Sequence, residues 1–279
     1  MDLIKSTALA IFVSIAWYFG AIGLYEIFTD FSNQWHWYVI AATYTLIINE
    51  IFIHQIIGHS NKIPNTKTIT FKILTFLSSV DHAYGAARGF CMHHKNHHMY
   101  SDQDADMVNV KRTWHDAALL SPWIYFTFKF PLIPNYDSYI NEQRESCKYL
   151  TDDPWTNFCQ DYKIVLTIVF WGLLFVFLPV ILFKVVFVGR LLISIFKVFA
   201  DIFGHMKLPG GYRNFDTPDN TYNHLLFHYL SLTLFTAMLH NNHHGTINFK
   251  TSQVRWFEFD LSQYIIKSLL WLTNAKTRD

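Results

Sequence analysis

The most constraining feature of this sequence is a short phrase written twice. Residues 94–98 read HKNHH and residues 240–244 read HNNHH, so each places histidines at i, i+3 and i+4. On an α-helix that spacing stacks three imidazoles on one face within a turn. His54 and His59 precede both. These three clusters hold eight of the chain's 15 histidines. Imidazole is the commonest metal ligand and costs energy when buried without a partner, so the fold must bring the clusters together or to a ligand. Single histidines are more often satisfied core residues, the role expected for His36, His82, His224 and His228. His93 points about 100° away from His94 on a helix, and His115 stands alone; neither is expected to be a ligand.

The rest of the chain is apolar in blocks. Of 279 residues, 51% are hydrophobic and 15% charged, against about 25% charged in a typical soluble domain. Residues 6–28, 35–57, 163–183 and 185–204 are each long enough to cross a hydrocarbon core of about 30 Å at about 1.5 Å per residue. Trp35, Trp37 and Tyr38 suit an interfacial aromatic belt. The far end of the second block carries Asn49, Glu50 and His54, polar groups that read as functional at membrane depth. Basic residues concentrate between His59 and Tyr162, which puts that segment on the cytoplasmic side. Residues 71–92 and 117–130 are expected to form interfacial helices, and 259–272 an amphipathic one. The run 222–239 is also read as interfacial, because a fifth span would carry His240 to the face opposite His94.

The expectation is a single all-α integral membrane domain over residues 1–279, with four transmembrane helices and a cytoplasmic helical cap holding a dimetal site. A net charge of +1 supplies no field for nucleic acid. Cys91, Cys147 and Cys159 form no C-x-x-C pair and are expected to be reduced thiols.

Eight neutral imidazoles exceed the four ligands one zinc takes, and they suit two ions. Nitrogen ligands without cysteine fit iron, copper, nickel or zinc. His54 and His59, five residues apart, stand about 140° apart on an α-helix. They reach one site only if the helix unwinds near Gly58 or if they flank a pocket. Asp102, Asp104 and Asp106 are candidates to orient ligating imidazoles from outside, as is Glu50, one turn before His54. Two redox metals at a membrane suggest oxygen activation on a lipid chain.

The order H-x4-H, H-x-x-H-H, H-x-x-H-H resembles that of the membrane fatty acid desaturases. HMYSDQDAD at 98–106, LTDDPWTNFCQDY at 150–162, GYRNFD at 211–216 and SQVRWFEFD at 252–260 resemble segments flanking that family's histidine boxes. The resemblance implies O2-dependent insertion of a cis double bond into a fatty acyl chain at a di-iron centre. It implies an acyl carrier (CoA, acyl carrier protein or lipid), electrons from a cytochrome b5-like protein or ferredoxin, and residence in the endoplasmic reticulum or bacterial inner membrane with a cytoplasmic active site. It also assigns a ninth ligand to His205, with Asp201 as a water-mediated, direct or outer partner. The chain departs from the family in carrying Asp201 for asparagine, Thr236-Ala237-Met238 for a glycine and acid, and Gln55 for a basic residue. A lipid hydroxylase on the same scaffold is the nearest alternative, and a non-enzymatic metal-binding or transport membrane protein a more distant one.

Overall fold

The computed structural model describes residues 36, 39–59, 62–81, 86–106, 136–179, 182–183, 185–187, 189–190, 200, 202–230, 238–246 and 251–277. The expected first span, the interfacial helix at 117–130, His82, His115 and Asp201 lie outside these residues. Among the described residues the protein is helix-rich, with two short strands.

Helix α1, Val39–His59, is long and apolar enough to cross a membrane and matches the second expected span. From Ile47 onward it is a π-helix, in which the amide of residue i+5 bonds the carbonyl of residue i. Ile48 to Gly58 are all buried, Glu50, His54 and Gln55 among them. After strand β1 (Lys62–Ile63) come α2 (Ile69–Asp81) and α3 (Ala87–Met99). The single helix expected over 71–92 is therefore two, since Ala86 is extended (φ −70°, ψ 144°) and starts α3 afresh.

Short helices α4 (Tyr136–Glu142) and α5 (Lys148–Thr151) flank a 3₁₀ turn at Glu145–Cys147. Helix α6 (Pro154–Asp161) begins where the sequence dictates. Asp153 caps the Thr156 amide at 2.8 Å, and Pro154 occupies a first-turn position where its missing N–H costs nothing. Helix α7 (Lys163–Phe177) follows at a 75° bend, and together the two are long and apolar enough for a second span. Ile168, Val176 and Phe177 on α7 are 68–77% exposed, a long apolar surface that water does not favour. Of the fourth expected span, 185–204, only separate pieces fall within the described residues.

Helices α8 (Leu225–Leu230) and α9 (His240–Gly245) precede α10 (Ser262–Leu272), which realises the expected amphipathic helix. Ile266, Leu269 and Leu270 of α10 share one core with Ile48, Ile51 and Phe52 of α1 and Phe90 of α3. Asn274 then turns the chain at φ 50°, and strand β2 (Lys276–Thr277) pairs antiparallel with β1, Lys62 opposite Thr277.

Cys91 and Cys147 form a disulfide between α3 and the 3₁₀ turn, which corrects the expectation of three free thiols; Cys159 is free and buried. Their separation along the chain gave no hint that α3 lies over that turn.

Candidate metal centre

Four pieces of chain deliver nine imidazoles to one place. The end of α1 brings His54 and His59, and α3 brings His94, His97 and His98. A short helical turn at 202–204 ends at His205, and α9 supplies His240, His243 and His244. The π-helix resolves the awkward five-residue spacing. Residues five apart stack in that geometry, and the rings of His54 and His59 lie 5.2 Å apart. No unwinding at Gly58 is involved, because that residue is inside the π-helix. Glycines let the pieces close up: a Cβ on Gly204 would stand 2.6 Å from His240 Cγ, and one on Gly58 would stand 2.9 Å from His94 Cδ2.

The imidazoles divide into two groups of four. His54, His59, His94 and His243 form one, and His97, His205, His240 and His244 the other; within each, the ligand nitrogens lie within 4.8 Å of one another. His98 stands between them, its Nε2 3.1 Å from those of His94 and His243 and its ring stacked on His244 at 4.1 Å. Further Nε2 pairs are His54–His243 at 3.0 Å, His205–His240 at 2.9 Å and His59–His94 at 2.5 Å.

Carboxylates behind several of the rings decide which nitrogen is free to ligate. The Nδ1 atoms of His54, His97 and His244 are 2.8–2.9 Å from Glu50, Asp106 and Asp219 carboxylate oxygens. A ring that donates Nδ1–H to a carboxylate keeps Nε2 as a bare lone pair, the tautomer assigned by these partners. His54 Nε2 therefore faces its neighbour with a lone pair, and the buried Nε2 of His244 has no hydrogen-bond partner among the described residues. Two nitrogens bonded to one ion at about 2.1 Å and at right angles sit about 3 Å apart. Most of the observed separations fit that.

No family model matches the chain, and no curated protein does. What the centre can do rests on its own chemistry.

Burial, then repulsion among neighbouring imidazoles, holds His94, His98, His243 and His244 well below the usual imidazole value. At neutral pH they are uncharged, as ligation requires. His205 Nδ1 lies 3.2 Å from Asp102 Oδ2, close enough for an ion pair but without hydrogen-bond alignment. Burial works to raise the Asp102 carboxyl, yet the contact with His205 and the Asn220 amide outweigh it and hold it below the ordinary range. Asp102 sits at φ 60°, a left-handed position aspartate tolerates, and its own amide donates to Asp106 Oδ2 at 2.9 Å.

All nine expected histidine ligands thus converge, and Glu50, Asp102 and Asp106 stand behind them. Asp104 does not: it is exposed, since the turn that aims its two neighbours inward leaves it facing out. His224 and His228 are core residues, as expected, and donate to the Phe203 and Phe259 carbonyls at 2.9 and 2.7 Å. His93 is buried but belongs to neither group. His36 is exposed rather than in the core.

Sequence reasoning missed the residues that hold α9. Buried Glu258 accepts from Tyr212 Oη and Asn214 Nδ2 at 2.6 Å, from Asn242 Nδ2 at 3.0 Å, and from the Val254 and Arg255 amides at 2.8 and 2.6 Å. Asn241 Oδ1 takes the Asn214 and Phe215 amides at 2.7 and 2.8 Å. The loop carrying Asp219 is braced by Arg213, which donates to the Asp219 and Thr217 carbonyls at 2.8 and 2.6 Å. The twin asparagines inside HNNHH were the available signal; Asp219 looked like any turn-forming aspartate.

Proposed function

We propose that this protein is a membrane-embedded, O2-dependent fatty acyl desaturase whose nine histidines hold two iron ions. The observation that carries the reading is the convergence of nine imidazoles in two adjacent groups, backed by buried carboxylates, at the end of an apolar helix. An all-nitrogen donor set suits redox-active iron, and two neighbouring groups suit a two-ion centre. The expected multi-pass topology, with four spans and the centre on the cytoplasmic side, belongs to the same proposal, as does the likeness to membrane desaturases in the order of the boxes.

The chemistry such a pair of ions would supply is the reduction of O2 by two hydrogen atoms from the acyl chain and by two electrons from an external donor with two protons from solvent, leaving a cis double bond and two waters. The chain's own residues bind, orient and exclude. Glu50, Asp106 and Asp219 fix ring orientation and leave each Nε2 facing inward. Glu50 and Asn49, fully buried, close the α1 side against bulk water. Further along α1, Ile40, Ala41 and Tyr44 line a cavity of about 390 Å³ with Leu77, Phe170 and Leu174. Its apolar wall suits a hydrocarbon chain better than a polar substrate. Among the described residues no haem or flavin motif accompanies the histidines, so electrons come from a cytochrome b5-like protein or ferredoxin in this reading.

Expression in a desaturase-deficient host, followed by fatty acid profiling, tests it. The wild type should yield a new monounsaturated acyl product, and His97→Ala should yield none and lose bound iron. An acyl product heavier by one oxygen with no new double bond would assign a hydroxylase. Iron binding with no change in lipids would favour a metal-binding role.

A further inference from the structure

The two histidine groups do not stand in equal electrostatic surroundings. Behind the group of His97, His205, His240 and His244 lie three buried carboxylates. Asp106 meets His97 at 2.9 Å, Asp102 meets His205 at 3.2 Å and Asp219 meets His244 at 2.8 Å. Behind His54, His59, His94 and His243 there is one among the described residues, Glu50 on His54 at 2.9 Å. All four carboxylates are at most 8% exposed.

Local hydrogen bonds fix the three-carboxylate side in place. Asp106 takes the Asp102 amide at 2.9 Å, Asp102 takes the Asn220 amide at 2.6 Å, and Asp219 takes the Thr217 and Thr221 hydroxyls at 2.6 and 2.7 Å. These donors are neutral. Three buried carboxylates held against imidazoles of one group make it the more favourable place for a cation.

We infer that the two ions bind unequally and in order: the first enters the His97–His205–His240–His244 group tightly, and the second enters the His54–His59–His94–His243 group weakly and exchangeably. The inference rests on the di-iron reading and deepens it. A carboxylate behind a ligating histidine raises the ring's basicity and offsets the charge of the ion, and losing one typically costs about 10–100-fold in metal affinity. Two hydrogen-bonded carboxylates and the nearby Asp102, against Glu50 alone, outweigh the extra imidazole that His98 offers the weaker group, because His98 is shared and also stacks on His244. The two dissociation constants should differ by about 10-fold or more.

The test is anaerobic equilibrium dialysis of the full-length, detergent-solubilised, metal-free protein against ferrous ion, with bound iron counted per chain. The wild type should fill in two steps. Asp219→Asn should weaken the tight step by about 10–100-fold, and Glu50→Gln should weaken only the loose one. The two-step wild-type isotherm stands as evidence by itself if a variant fails to fold. Two equal ions per chain, or a tight step that moves with Glu50→Gln and ignores Asp219→Asn, would overturn the inference while leaving the di-iron reading intact. Binding of no iron at all would overturn both.

Discussion

Gly204 is a single-atom constraint on the centre. A side-chain carbon there would sit 2.6 Å from His240 Cγ, and the ring cannot retreat without leaving its 2.9 Å position against His205. Gly204→Ala should therefore lower bound iron to one ion per chain or fewer while the helical content stays, as read by metal analysis and circular dichroism. Protons act at the same scale. Burial and mutual repulsion lower the folded-state values of His94, His98, His243 and His244, so the unfolded chain protonates first as pH falls. The metal-free protein should be fully stabilised above about pH 6.5 and lose stability below it. Burial raises Glu258, but its hydrogen bonds from Tyr212, Arg255, Val254 and Asn214 win and hold it low. Its contribution is whole above about pH 4.3 and is lost as pH falls further, through the folded value. Thermal melts of chelated protein from about pH 8 to about pH 2 should show two successive losses; a flat profile would contradict the burial of these groups.

At the scale of the element, α9 is too short to hold three ligands by its own helical bonds, and side chains from outside fix it. Glu258→Ala would remove the buried acceptor of five donors and should cost about 3 kcal/mol. Glu258→Gln, which keeps one acceptor oxygen, should cost less. Unfolding midpoints of the metal-free variants check the order. The contrast between α9 and α1 also shows what sequence could reveal. Three imidazoles on one helical face were legible at His94 and His240 because 3.6-residue periodicity is local. The edge-to-face approach of His54 and His59 was not, since it depends on π geometry that no propensity announces. Asp219 was invisible for another reason: its role arises from Arg213 and the threonines that fold its loop back onto His244. Asp104 was over-read because alternation along an acidic run does not tell which residue the turn will face outward.

Across the whole molecule, the helical class and the convergence of distant histidines were legible, and the closure of the fold was not. Two-residue strands carry no pattern, yet the β1–β2 pair and the Asn65 amide on the Thr273 carbonyl at 2.9 Å fasten the tail beside the end of α1. Removing residues 273–279 should free that end and disturb His54 and His59 more than His205. Bound iron should then fall from two ions per chain toward one, with the fall measured on purified protein.

That fastening has a bearing on how the protein is made. The helix carrying the first histidine pair leaves the ribosome long before α10 and β2, which pack beside it and clasp the strand after it. Contacts so distant along the chain form late, after loop-closure entropy has been overcome. The first histidine pair is thus fixed in place only once α10 and β2 have been made, long after its own helix.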